Sequence, residues 1–471
     1  MQKRIRSILR ELFGIDARCL AVFRIAIALL VLADLILRSP FIVESYTDDG
    51  FLSRELVIAP DCYFSLQMLD GSFTFQLGHF MLAGFAAILL LIGYRTRIAT
   101  VACWALTVSL HARNGFLLDA GDDLLRSMLF WSLFLPLGAR YSVDGRKRSV
   151  QEPQIILSPA SAALLLQFAC VYFFAGWFKT DDAWRNGRAI EFVLGQTQWI
   201  QPAGELLRQY PSVLQIMTPC VVWFEIIAPL CLFVPWKTRS FRMIVIPAFW
   251  LFQLGLATTI WLHIFPFITA TATIPFLSSV IWPFRNDGVS ESDRVIPAAR
   301  FFLPGRKVLW NTAFAALAIA TILFQAANFG KSLWPTQERI ASLIGWNAIW
   351  SMYSRTPQYT YHFSAEATLQ DGTDVDLIRS EATGGDRLRV RQFHDSYRMR
   401  YFLETVSSAS PDFPTRYLTQ LAYHWNQSHP QDRQVVRARL LGTSRPIGSS
   451  ESAETTVLLD IGFTPLDSGE R

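Results

Sequence analysis

The stretch Leu20–Arg38, LAVFRIAIALLVLADLILR, decides the fold. Apart from Arg24 and Asp34 it is apolar up to its closing arginine, and about 20 mostly apolar residues are what a helix needs to cross a bilayer. The rest of the chain has the same character. Its 471 residues are 51% hydrophobic and 14% aromatic but only 17% charged, with a mean hydropathy of +0.27, whereas a soluble domain carries about 25% charged residues. The formal charge of +5 is small for this length. No basic run interleaved with aromatics points to nucleic acid.

Further spans are expected near 78–93, 98–111, 121–138, 159–178, 215–235, 243–263, 265–284 and 309–329, making about nine with the first at 19–37. The loops between them alternate in Lys and Arg as the positive-inside rule demands. Lys3, Arg4, Arg6, Arg10 and Arg18, then Arg95 and Arg97, then Arg140 to Arg148, then Lys237 to Arg242 fall on one side. The opposite loops carry fewer, among them Arg54, Lys179 and Arg208. The N-terminus is therefore expected in the cytoplasm, with residues 1–18 as an interfacial amphipathic segment, 19–330 as the membrane domain and 331–471 outside.

The tail changes period. TYHFSAEATLQDGTDVDLI, from Thr360, alternates around Asp371-Gly372, a hairpin signal. RMRYFLETVSS and TRYLTQLAYHWNQ then read as amphipathic helices, and QVVRARLLG and TTVLLDIGF as strands. The expected architecture is an all-α polytopic membrane bundle followed by a small extracytoplasmic α+β domain. Trp334, Trp346 and Trp350 are expected in an interfacial belt between the two.

An ionisable group at mid-bilayer costs about 2.5–3.5 kcal/mol on insertion scales, so each asks for a partner or a purpose. Glu225, in VVWFEIIAPLCLF, is the clearest case, read either as functional or as the partner of an arginine on another helix. Asp34, His111, Arg113, Asn114, Asp122, Asp123, Arg126, Lys179 and His263 fall at outer span ends, as a cavity opening outward would require. The alternatives are an N-cap for Asp122 or Asp123 after Gly121, an interfacial His263, and Arg24 snorkelling to the cytoplasmic side. Lys179 closes a helix that Ser158-Pro159 starts as N-cap and N1. As a rim anchor it sits in water; as a base it must be buried among Tyr172, Phe173, Phe174, Trp177 and Phe178, walls suited to a flat apolar ligand. No HExxH, GxSxG, P-loop, GxGxxG or CxxC pattern occurs.

Four stretches resemble a known family: LAVFRIAIALLVLADLILR with YTDDGFLS, HARNGFLLDAGDDLLRSMLFWSLFLPLGARYSVD, YFFAGWFKTDDAWRNGRAI, and WFEIIAPLCLFVPWKTR. They are similar to the membrane domain of the vitamin K-dependent gamma-glutamyl carboxylases and their bacterial relatives, the HTTM (horizontally transferred transmembrane) domain proteins. The tail, WSMYSRTP then LQDGTDVDL, is similar to the extracytoplasmic extension of bacterial members.

The resemblance implies that Lys179 is the base that deprotonates a reduced quinone of the vitamin K or menaquinone type. Oxygen then adds, and in the carboxylases the strongly basic product removes a glutamate γ-proton so that CO2 can add. Asp122 or Asp123 stands where the carboxylases have a catalytic histidine, as bacterial relatives often do. Glu225 matches an acidic position expected to pair with a basic group such as Arg126, and Gln253 stands at a common histidine. The implied quinone pocket comprises His111, Asn114, Arg126, Tyr172, Phe174, Trp177, Glu225, Gln253 and His263, with reduced quinone and O2 as reactants, CO2 only if carboxylation is retained, and no metal required. The implied partners are the lipid bilayer, a membrane quinone and an exported peptide, and the expected location is the bacterial inner membrane. A second function is a non-enzymatic membrane partner in maturation or export of a secreted peptide. That role should survive Lys179→Met or Lys179→Ala and be lost on deletion of residues 335–471.

Overall fold

The computed structural model describes residues 2–57, 65–146, 155–281, 295–296, 350–378, 396–406, 412–448 and 452–463. An amphipathic helix α1 (Gln2–Phe13) leads into α2 (Ala17–Arg38), which Asp16 starts by accepting the Arg18 N–H at 2.8 Å. Next come α3 (Phe73–Ile92), α4 (Thr96–Arg113), α5 (Ala120–Ser132), α6 (Pro159–Trp177), α7 (Pro211–Cys231), α8 (Thr238–Thr259) and α9 (Phe265–Ala272). Ile155–Ile156 pairs antiparallel with Ile15–Asp16 and parallel with Val295–Ile296 at the base of the bundle.

The caps follow from local sequence. Ser158, Pro159 and Ser161 build a capping box at the start of α6, as expected. At α5 the N-cap is Asp119 rather than Asp122 or Asp123: its side chain accepts from Gly121 N and Asp122 N, and the Asp122 carboxylate accepts from Asp119 N. Gly93 ends α3 in the left-handed region at φ 70°. A Cβ there would lie 2.4 Å from an Arg24 guanidinium nitrogen. That space lets Arg24 stay inside the protein instead of snorkelling. It is fully buried and donates to the carbonyls of Leu91, in the last turn of α3, and of Leu137 and Tyr141, in the turns that follow α5.

Five segments are long and apolar enough to cross a membrane: Ala17–Tyr46, Phe73–Ile92, Pro159–Trp177, Pro211–Cys231 and Thr238–Thr259. The chain is an integral membrane protein, and among the described residues five of the nine expected spans meet that criterion. α4 falls below the others because polar side chains interrupt it, and α5 has only 13 residues. The eighth expected span is the shorter apolar segment Phe265–Ile281, and the ninth, 309–329, lies outside the described residues.

The C-terminal unit forms as its periodicities predict. Strands β1 (Tyr359–Leu369), β2 (Asp374–Asp376), β3 (Val435–Pro446) and β4 (Glu454–Gly462) make an antiparallel sheet in the order β2-β1-β3-β4. Gly372, at φ 81°, turns the first hairpin. Helices α10 (Tyr397–Val406) and α11 (Asp412–Ser428) cover one face, burying Met399, Phe402, Tyr417 and Leu418 against Ala365, Ala438 and Leu440. Phe51, Leu52 and Leu117 from the bundle's loops join that core, so the two units are packed together. Trp350 is 2% exposed inside the bundle core rather than in an interfacial belt, while Trp334 and Trp346 lie outside the described residues.

Candidate functional site

The chain turns at Lys179 because α6 ends on Phe178, and the side chain folds back onto the helix it has just left. Its Nζ donates to Ala175 O at 3.1 Å and to Glu225 Oε2 at 2.6 Å, with both side chains almost completely buried. The ammonium thus sits at the negative end of α6, facing a carboxylate on α7. It also lies 5.2 Å from the centre of the Trp184 ring. Lys179 is therefore not an anchor in water. Nor does Glu225 pair with Arg126, whose guanidinium is bonded to Asp123 three residues away on α5.

Gly176 makes this pair possible. A Cβ at that position would meet Ile226 Cγ1 at 2.8 Å, Glu225 Cβ at 2.9 Å and Val222 O at 3.0 Å. Only a residue without a side chain lets α7 come this close, the usual reason for small residues between membrane helices. Behind Lys179 the turn is clamped. Asp181 accepts from Trp184 N at 3.0 Å and from the Thr356 N–H and hydroxyl at 2.7 and 2.8 Å, while Trp184 Nε1 donates to Tyr353 O at 2.7 Å. Burial alone would raise the Asp181 carboxyl, but these donors hold it below the usual carboxylate range.

Lys179 and Glu225 border a cavity of about 780 Å³. Its bundle walls are apolar and aromatic, including Tyr172, Phe224 and Phe252. Tyr172 is positioned by Gln253, which donates to its hydroxyl. The far wall comes from α10, through Tyr397, Tyr401 and Glu404. Glu404 accepts from Gln198 Nε2 at 2.9 Å and Trp199 Nε1 at 3.0 Å, and burial pushes its carboxyl upward.

Of the residues expected to share a pocket, Tyr172, Lys179 and Glu225 line this cavity. Gln253 stands behind Tyr172, and His263 stacks on the cavity residue Tyr397 with ring centres 5.1 Å apart. Phe174 packs beside Phe178. Trp177 is half exposed and stacks on Phe173, because one more helical step turns it away from α7.

His111 and Asp122 belong to a neighbouring buried cluster. Arg38 donates to Asp34 and Asp122, both at 2.8 Å, and to the Tyr46 hydroxyl at 2.9 Å. From the C-terminal unit Arg398 reaches Asp122 at 2.6 Å, Asp34 at 2.7 Å and Leu117 O at 2.6 Å. His111 Nε2 lies 3.7 Å from Asp34 and 3.5 Å from Asp122. Asn114 donates to Ser45 O at 3.2 Å, fixing the loop over this cluster. The donor atoms of Asp34, His111 and Asp122 are close enough together to hold a metal ion. Both carboxylates are already satisfied by two guanidinium groups, so a cation would have to displace them. Asp119, which caps α5 beside Asp122, reaches the cavity wall and joins the two sites.

Arg398, Tyr397, Tyr401 and Glu404 were not among the sequence-predicted site residues. α10 is recognisable as an amphipathic helix, yet Arg398 finds its partners 276 and 364 residues away, and no local pattern carries that pairing. The HTTM domain family model matches residues 14–282, which contain α2 to α9 and both Lys179 and Glu225. No curated protein and no solved structure matches the chain.

Proposed function

This chain belongs to the HTTM domain family, and we propose that it is a quinol-dependent membrane enzyme in which Lys179 takes a proton from a reduced quinone of the vitamin K or menaquinone type. The HTTM domain is linked to vitamin K-dependent carboxylase-like membrane proteins. One observation carries the proposal: Lys179 and Glu225 form a buried ion pair in the wall of a largely apolar, aromatic cavity.

A reduced quinone is a flat aromatic diol, and the residues present fit it. The cavity volume lies in the range of about 300–1,000 Å³ typical of small-molecule sites. Tyr172, Phe224 and Phe252 offer aromatic faces to a ring, and Lys179 meets a hydroxyl. When bound, the quinol supplies reducing equivalents for reaction with O2. A lysine that keeps its proton cannot accept another. Glu225, 2.6 Å away, is the group to which Lys179 can pass its proton, leaving an amine beside the ligand. The amine then takes the quinol proton, and exclusion of water by the aromatic walls keeps the exchange between these groups.

Asp122 and Asp123 are each held by arginines, so we assign them to the scaffold around the cavity rather than to proton transfer. Carboxylation, or another modification of an exported peptide, is the coupled step that the family resemblance implies. The distribution of Lys and Arg supports a cytoplasmic N-terminus, and the packing of the C-terminal unit on Phe51, Leu52 and Leu117, from loops on the opposite side, supports its place on the outer face; a bacterial inner membrane is the location that the family resemblance implies.

The test is turnover of reduced menaquinone or vitamin K1 with O2 by protein in nanodiscs, with epoxide and quinone quantified by mass spectrometry. Wild type should form epoxide; Lys179→Ala should not, and Lys179→Arg should fail as well because a guanidinium stays protonated. Equal product from wild type and Lys179→Ala would refute the assignment.

A further inference from the structure

The cavity has a side that faces away from the bundle. Cys220 of α7 and Leu251 and Gly255 of α8 border it and are at the same time exposed on the molecular surface, Leu251 by 70%. α7 and α8 are also the least enclosed of the five candidate spans. Their outer faces carry Ile216, Trp223, Ile244 and Leu254, all exposed. This is a lipid-facing surface, so the opening between the helices leads into the bilayer rather than into water.

Gly255 is the telling residue. Gly176 and Gly93 admit a close neighbour or a left-handed backbone, and Gly78 and Gly84 of α3 stand in open space away from the cavity, whereas Gly255 borders the cavity itself. A Cβ at Gly255 would meet nothing within 4 Å, and its backbone is helical. Glycine inside a helix costs about 1 kcal/mol relative to alanine, and here no packing contact offsets that. Its effect is a gap in the cavity wall.

We propose that the opening bounded by Cys220, Leu251 and Gly255 is a lateral portal through which a ligand with a long apolar tail enters from the bilayer, its ring seated near Lys179 and its tail left between α7 and α8. This rests on the quinol assignment above and adds a requirement for the tail. A ring without a tail occupies the cavity and leaves the portal empty. A long-tailed ligand fills it and covers the Cys220 thiol.

The experiment uses the full chain in nanodiscs, comparing menaquinone with the tail-less ring 2,3-dimethyl-1,4-naphthoquinone, whose substituted 3-position does not alkylate thiols. Modification of Cys220 by N-phenylmaleimide is followed by mass spectrometry of its peptide, and binding is measured separately by quinone retention. Menaquinone should slow Cys220 labelling about tenfold, and the tail-less quinone should leave it unchanged. Gly255→Trp should weaken menaquinone binding about tenfold and binding of the tail-less quinone little. Gly78→Trp, at an exposed helical glycine of α3 that also has open space around it, should alter neither. If both quinones bind but affect Cys220 alike, or Gly255→Trp weakens both equally, the portal is wrong and the quinol site stands. If neither quinone binds, both assignments fall.

Discussion

Replacing Arg398 with methionine should undock the C-terminal unit from the bundle. Arg398 bridges Asp34 and Asp122, whose side chains are 3% and 1% exposed, and the variant leaves those carboxylates with Arg38 as their remaining guanidinium partner within this cluster. Removing one member of a buried ion pair costs about 3–5 kcal/mol, because the other charge stays desolvated. There is a ceiling. An orphaned aspartate can take up a proton, and at pH 7 that costs about 4 kcal/mol, from an ordinary pKa of about 3.9 at about 1.36 kcal/mol per unit. The expected loss is therefore about 3–4 kcal/mol. Hydrogen exchange across α10 and thermal unfolding in nanodiscs would read it. Arg398→Lys should recover part of the loss, since one ammonium cannot span two carboxylates as a guanidinium fork does. Pairing Arg398→Met with Asp122→Asn should cost less than the two single changes added together. A loss under about 0.5 kcal/mol for Arg398→Met, within the range of ordinary surface substitutions, would refute the view that this network holds the two units together.

Three further outcomes follow from the site geometry. Lys179→Met alone should destabilise the protein by about 3–5 kcal/mol by stranding Glu225, whereas Lys179→Met with Glu225→Gln should regain stability without regaining quinol turnover; thermal unfolding and product analysis on the same samples separate the roles. Gly176→Ala should force α6 and α7 apart at a cost of about 1–3 kcal/mol and lower turnover while Lys179 is intact, because Val222 O and Glu225 Cβ occupy the space a methyl group needs. On acidification, the Asp181 clamp on Thr356 should fail. Its carboxyl is depressed in the folded protein, so its contribution is full above the ordinary aspartate range and disappears as pH falls through that range into the lowered one. Faster exchange of the Thr356 amide below about pH 4 would show this, and an exchange rate independent of pH-driven opening would count against it.

The elements whose periodicity is local were legible. Long apolar helices, the Ser158-Pro159 start, the Asp371-Gly372 hairpin and the two amphipathic helices behind it all appear where the pattern places them. The polar residues flagged as costly were the right ones to question, since Asp34, His111, Asp122, Lys179 and Glu225 are all buried. Their partners were not legible, because pairing across helices depends on rotation and crossing. Trp177 shows how sensitive this is: two residues before Lys179, it faces outward while Lys179 turns back under the helix end. Five of the nine expected spans stand out by length and hydropathy among the described residues, in part because α4 and α5 place their polar residues in the buried network beside the cavity, and that lowers the hydropathy by which a span is recognised.

The structure also changes which experiment separates an enzyme from a non-catalytic partner. Deleting residues 335–471 looks decisive if that segment is a docking surface for an exported peptide and nothing more. Tyr397, Tyr401 and Glu404 line the cavity from that very segment, and Arg398 neutralises carboxylates inside the bundle. The deletion would open the cavity and strand Asp34 and Asp122, so it should abolish function under either account. Lys179 is the position at which the two accounts diverge. In the double change Lys179→Met with Glu225→Gln the fold keeps its packing and loses only the exchangeable proton pair. Retained peptide maturation in that variant would establish the partner role, and its loss in a protein of wild-type stability would establish chemistry at the pair.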